Sequence, residues 1–342
     1  MGHRAGVNHD NGNDLSSWPG SPHEATRFLL GQLPGCDPVD DFEKGSERPQ
    51  RADEPPTLVD ADIIEGNLFR AIHVADPKSV RGVSGFAGFL DGTQDVRVVN
   101  QVHGIPIIWA TVSAAVRARV NKRLVSWNGS QPIVRRGYYL PFRYVDGLRE
   151  EFRSSPHVMD TARDDGSGKI PSRHPAALME AAFQRVQLDR EMLELHLAEA
   201  WAAREQSALY VDGSITGSSI TSSSKSIVGV VKSHRRLYAD GAAFRTLVGL
   251  EAGWRSSIFR IAPRMRHPVA SWYVRTRNAK GRDALFGLVR VEAAPGDDIT
   301  ARADEISRWI IAEGSPLALP DGRWDKMAYG IRDTEEFLRA IS

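Results

Sequence analysis

The chain has 342 residues and a mass of 37.7 kDa, with 41% hydrophobic and 25% charged residues, a composition that excludes disorder of the whole chain. Its 44 Lys and Arg against 43 Asp and Glu leave a formal charge of +1, so any surface for nucleic acid must be local. One cysteine, Cys36, excludes an internal disulfide and a multi-thiolate zinc or iron-sulfur site and fits a reducing, cytoplasmic setting.

The apolar stretches, such as Ile105 to Val116, are broken by Pro106, Thr111 and Ser113 and fall short of the ~18 residues of a membrane span. No basic segment, apolar core and small-residue cleavage site open the chain, so neither membrane insertion nor a secretion signal is expected. Residues 1–55 are rich in Gly, Pro, Asp, Asn, Ser and His and read as a flexible N-terminal arm with one amphipathic island, Ala25 to Leu33. Residues 56–342 read as the folded domain.

Three strands are predicted at Gly85 to Asp91, Asp95 to His103 and Pro106 to Val116, separated by turns at Gly92 and Gly104, followed by a strand over Gln131 to Phe142. From Pro175 the period becomes helical. Met179, Phe183, Val186, Leu193, Leu197 and Trp201 lie on one stripe of a helix that ends before Ser207. Further strands are expected at Ala208 to Val211 and Ser226 to Lys232, then a hairpin of Ser271 to Thr276 with Leu285 to Val291, and helices near Ile299 to Glu313 and Thr334 to Ile341. This order predicts an α/β fold with a mixed sheet and flanking helices, in which a right-handed crossover sets the strand ending at Val211 parallel to a strand of the meander.

One short pattern occurs twice. Phe89-Leu90-Asp91-Gly92-Thr93 and Tyr210-Val211-Asp212-Gly213-Ser214 each run from an apolar strand into Asp-Gly-hydroxyl. On parallel neighbours about 4.8 Å apart, both carboxylates project from one end of the sheet, where a proton or a cation must relieve their repulsion. Oxygen ligands of this kind favour Mn2+ or Mg2+, and a Gly after each Asp leaves room for a phosphate backbone. Asp-Gly is equally a common turn signal that needs no metal.

The long helix offers a third carboxylate. Glu194 lies about 60° from Met179 at the border of the buried stripe and Glu191 about 120° away, so Glu194 is the first candidate and Glu191 the second. Arg190, four residues before Glu194, also allows an ordinary helix ion pair.

Asp-Gly-Thr on a first strand, a meander, a Glu-bearing helix, Asp-Gly-Ser on the next strand and then IVGVVKSH resemble the NurA nucleases, from about Gly85 to the C-terminus. The resemblance implies an RNase H-like fold with a C-terminal β-hairpin and helical extension. It also implies a Mn2+- or Mg2+-dependent deoxyribonuclease that processes DNA ends as a dimer with a HerA-type hexameric ATPase, with repair and defence against foreign DNA as alternative roles. Asp91 and Asp212 match the family's strand aspartates, and Glu194 or Glu191 its helix glutamate. The family's C-terminal histidine has no counterpart in Ser315 to Asp325 (SPLALPDGRWD), where Asp321 is the candidate metal ligand in its place.

Candidate DNA-binding residues are Lys232, His234 and Arg235 after the IVGVVK strand, and Tyr273 and Arg275 on one face of a later strand, whose cations and rings suit phosphates and frayed bases. A solvated edge strand explains the same cations. Trp309, Ile310 and Ile311 are candidates for contact with a second chain, and core packing explains them as readily. Two other functions remain open: a noncatalytic RNase H-like DNA-binding or assembly subunit, and a related enzyme acting on RNA or branched DNA. Ser-rich residues 217–226 lack the glycine spacing of a phosphate loop.

Overall fold

A computed structural model describes residues 18–39, 55–129, 131–163, 170–314 and 328–341. The elements in chain order begin with α1 (Pro22–Gln32), β1 (Asp37–Pro38), β2 (Thr57–Leu58), β3 (Asp62–Ile63), β4 (Ala71–His73), β5 (Phe86–Val102), β6 (Ile105–Val120), β7 (Arg123–Ser126), β8 (Ile133–Leu140), α2 (Glu150–Arg153) and β9 (Val158–Asp160). They continue with α3 (Pro175–Arg204), β10 (Ala208–Asp212), α4 (Ser219–Ser223), β11 (Ile227–Val231), β12 (Arg236–Leu237), α5 (Gly241–Val248), β13 (Trp254–Ser256), β14 (Phe259–Ile261), β15 (Val269–Arg275), β16 (Leu288–Ala293), α6 (Ile299–Glu313) and α7 (Tyr329–Ile341). The chain is thus mixed α/β, with a large mixed sheet and flanking helices.

The described residues fall into two compact units. Of these residues the first unit takes 18–39, 96–110, 136–163 and 170–183, and the second takes 55–95, 111–129, 131–135, 184–314 and 328–341. In the first unit α1 buries Ala25, Leu29 and Leu33 in a core with Trp109, Tyr138 and Phe152. Ser21 caps α1 by accepting from Glu24 N, and the Tyr138 hydroxyl donates to Ala25 O at 2.6 Å. Residues 18–39 therefore belong to a folded unit, which corrects their assignment to a flexible arm: Phe28 and Leu29 join an aromatic core that includes Trp109, Tyr138 and Phe152, far along the chain.

The second unit carries the strand order β3-β14-β15-β16-β11-β10-β5-β6. β10 is parallel to both β5 and β11, as the crossover through α3 requires, and β11, β16 and β15 continue antiparallel. The two faces are read directly from alternation along the strands. Phe89, Tyr210, Val228, Trp272 and Val291 pack beneath Ile306, Ile310 and Ile331 of α6 and α7, and Trp272 Nε1 donates to Ser307 Oγ at 2.9 Å. Leu90, Leu209, Val211, Ile227 and Leu288 pack with Ala198 and Trp201 of α3 and Leu247 of α5. Each such fully buried side chain contributes about 1.5–3 kcal/mol relative to exposure.

Several expectations need correction. No turn forms at Gly92: β5 runs unbroken from Phe86 to Val102, because the strand beyond Asp91 stays paired, and the first reversal is at His103 and Gly104, both with positive φ. Ile310 and Ile311 are core residues and Trp309 packs against the same core, so they do not form an exposed patch for a second chain. On α3 the most buried residues include Leu178, Ala182 and Ala198 beside the expected Val186, Leu193 and Trp201. Among the described residues no helix is long and apolar enough to cross a membrane.

Candidate functional site: carboxylates of two parallel strands and a helix

Val211 pairs with Leu90 in the parallel β10–β5 ladder, so Asp212 and Asp91 follow at the same level of neighbouring strands. Asp91 is buried, and Gly92 N donates to its Oδ1 at 2.8 Å. Asp212 ends β10, where Gly213 turns the chain at φ 144°, a conformation open to glycine and strained for other residues. The chain beyond it is pinned by Glu292, which is 1% exposed and accepts from Ser214 Oγ at 2.8 Å and Ile215 N at 2.9 Å while pairing with Arg290 at 3.0 Å.

Glu194 reaches the cluster from α3. It lies over the Cα of Gly92: a Cβ there would sit 2.3 Å from Glu194 Oε1. Glycine at this position thus admits the helix carboxylate, not a phosphate backbone. Arg190 pairs with Glu194, as the i, i+4 spacing allows, and its Nε donates to Gln94 Oε1 at 3.2 Å. Glu191 accepts from Gln187 Nε2 at 2.8 Å on the helix itself, so of the two helix candidates Glu194 is the one beside the strand aspartates.

The electrostatics follow from burial. Asp91 is held well above the usual carboxylate range, first by loss of solvent and then by the negative charge of Asp212, with Glu194 adding to it and Lys232 opposing. Burial also pushes Glu194 up to about 7, with Asp212 and Glu191 reinforcing and Arg190 opposing. Lys232 Nζ donates to Asp212 Oδ2 at 2.6 Å. Two cations, Lys232 and Arg190, therefore serve three carboxylates, and Asp91 is the member with no ion pair among the described residues.

The remaining expectations divide. Lys232 sits at the cluster, paired to Asp212. His234 Nε2 bonds Leu288 O at 2.7 Å, and Arg235 is exposed. Tyr273 and Arg275 are corrected outright: both are fully buried in a strand with neighbours on both sides. The Tyr273 hydroxyl accepts from Tyr238 N at 2.9 Å, and Arg275 donates to the carbonyls of Leu250, Phe286, Val248 and Ala284, leaving neither a face for nucleic acid. Asp321 lies outside the described residues. Sequence reasoning missed Glu292, for which an acid inside the apolar run Leu288–Ala293 was the available signal.

A cavity of about 320 Å³ opens beside the cluster, lined by Asp212 to Ile215, by residues of α3 between Leu188 and Ala198, and by Met265 and Arg266. Among the described residues, no group of three His, Cys, Asp or Glu side chains is already arranged to hold a metal ion, and Asp212 and Glu194 are each paired to a cation. The donor set nevertheless fits a hard divalent ion: all oxygen, anionic, and with one buried carboxylate lacking a cation of its own. Fold and site together define a mixed α/β protein in which Asp91 and Asp212, on adjoining parallel strands, lie near Glu194 of α3. Compared with known proteins, the chain matches no protein-family model and has no significant match among curated sequences.

Proposed function

We propose that the chain is a divalent-metal-dependent deoxyribonuclease of the NurA kind, with an RNase H-like sheet, acting on DNA ends. The observation that carries this reading is the meeting of Asp91, Asp212 and Glu194, from two adjoining parallel strands and one helix, with less positive charge than their own. Asp91 and Asp212 would hold Mn2+ or Mg2+, with Glu194 as the third ligand; bound there, the metal would supply charge stabilisation for the phosphoryl oxygens and an activated water. Within the chain, Gly213 and Glu292 fix the direction of Asp212, and Gly92 lets Glu194 approach. Lys232 neutralises Asp212 in the metal-free protein and stands where it can pass to a substrate phosphate. A dimeric state and a HerA-type hexameric ATPase partner belong to the same proposal and rest on the resemblance; a cytoplasmic location belongs to it too and rests on the single cysteine.

A second reading, a noncatalytic DNA-binding or assembly subunit, is favoured by the Lys232–Asp212 and Arg190–Glu194 pairs, which partly satisfy the cluster without metal. End-labelled linear DNA incubated with the purified chain separates the two. Nuclease action predicts shortening with manganese or magnesium, none in EDTA, and a loss of about 10³-fold or more in Asp91→Asn and Asp212→Asn with DNA binding retained. DNA binding without any metal-dependent shortening establishes the noncatalytic reading instead.

A further inference from the structure

We propose that the cavity beside the carboxylates is a binding site for one unstacked nucleotide of a single-stranded nucleic acid, gripped by Met265 and Arg266 of the β14–β15 loop. The proposal deepens the nuclease reading by naming the form of substrate that the site takes. The loop, Pro263 to Pro268, reads Pro-Arg-Met-Arg-His-Pro and projects from a buried part of the sheet. Met265 is 91% exposed, the most exposed large apolar side chain among the described residues, and Met192 of α3, which lines the same cavity, is 59% exposed. Both thioethers line the cavity together with Leu195, Val211 and Ile215, and exposed, polarizable side chains of this kind suit contact with a planar base.

The loop is held in place and not simply dangling. His267 N donates to Thr216 O at 2.9 Å, and Arg266 N to Pro263 O at 3.2 Å, so the loop is tied to the segment that follows Asp212. That segment is itself fixed through Ser214 and Glu292, and Thr221 Oγ1 donates to Ile215 O at 2.8 Å. Among the described residues neither Arg264 nor Arg266 has an ion-pair partner, which leaves their guanidinium groups to phosphates entering the site. The cavity's volume of about 320 Å³ is at the lower end of small-molecule sites and suits a base with its sugar, whereas a paired duplex end is far too wide. A base seated there places its phosphate beside Asp212 and Glu194, which line the same cavity.

Binding is measured in EDTA, so that the outcome is independent of cleavage, by fluorescence anisotropy of a fluorescein-labelled oligothymidylate of about twelve nucleotides and of a blunt duplex hairpin, with thymidine 5′-monophosphate as competitor. The wild-type chain is expected to bind the single strand more tightly than the blunt duplex, with the mononucleotide competing. Met265→Ala is expected to weaken single-strand binding about 10-fold, within the range for loss of one stacked base, and to leave duplex binding unchanged. Arg266→Ala is expected to lower the slope of log affinity against log salt by about 0.7, as for one phosphate contact on a single strand. Both side chains are exposed, and matching melting curves verify that the variants are folded. Equal loss for both probes, no loss for either, or no single-strand binding by the wild type overturns the proposal. Binding as expected without cleavage when manganese is restored keeps the nucleotide site and removes the hydrolytic reading.

Discussion

Replacing Glu194 by Gln changes how the metal-free protein's stability depends on pH. Burial among Asp212 and Glu191 raises this carboxyl from 4.5 to about 7, equivalent to about 3 kcal/mol at roughly 1.36 kcal/mol per pH unit. The folded chain keeps a proton that the unfolded chain releases, so the associated stability is full below about 4.5, falls as pH rises, and is lost above about 7. Asp91 is shifted in the same direction and adds a decline of the same sign. Urea unfolding in EDTA across pH 5 to 8 is therefore expected to show wild-type stability dropping by a few kcal/mol, with Glu194→Gln making that drop shallower. Added manganese reverses the trend, because it favours the charged carboxylates and stabilises more at pH 8 than at pH 5. Wild-type stability that is level or rises over this range, or a slope untouched by Glu194→Gln, refutes the assignment of Glu194 to a buried, like-charged cluster.

Gly92→Ala tests the same contact from the other side. A methyl group 2.3 Å from Glu194 Oε1 must push the carboxylate away, so metal-dependent cleavage is expected to fall at least about 10-fold, with about 1–3 kcal/mol lost in urea unfolding. Arg275→Ala removes a buried donor to four backbone carbonyls and is expected to destabilise the fold by about 3 kcal/mol or more. The folded fraction of that variant should bind oligonucleotide like the wild type, an outcome a DNA-contacting Arg275 would not give. Asp91→Asn should lose most of the melting-temperature rise that manganese gives the wild type, since a neutral amide is a weaker ligand for a hard cation.

Much of the site could be read from local pattern. Two apolar tetrads each ending in Asp-Gly-hydroxyl, with a helix long enough to cross back between them, place Asp91 and Asp212 on parallel neighbours, because strand alternation and crossover handedness are properties of the chain itself. The 100° step of the helix likewise separates Glu194 from Glu191. The unbroken course of β5 past Gly92 was not legible, since a glycine that admits a neighbour's side chain looks the same in sequence as one that makes a turn. Nor was the fate of Tyr273 and Arg275. Their alternation marks one face of a strand, but whether that face meets solvent depends on α5 and on β14 and β16, and those pack here to bury it. The pairing of α1 with an aromatic core, the support that Glu292 lends to Asp212, and the cavity under Met265 all join residues far apart in the chain. Local sequence thus determined which groups were acidic and on which parallel strands they lay, while packing alone decided what surrounds them, because burial and charge proximity are set by the neighbours that tertiary contact brings.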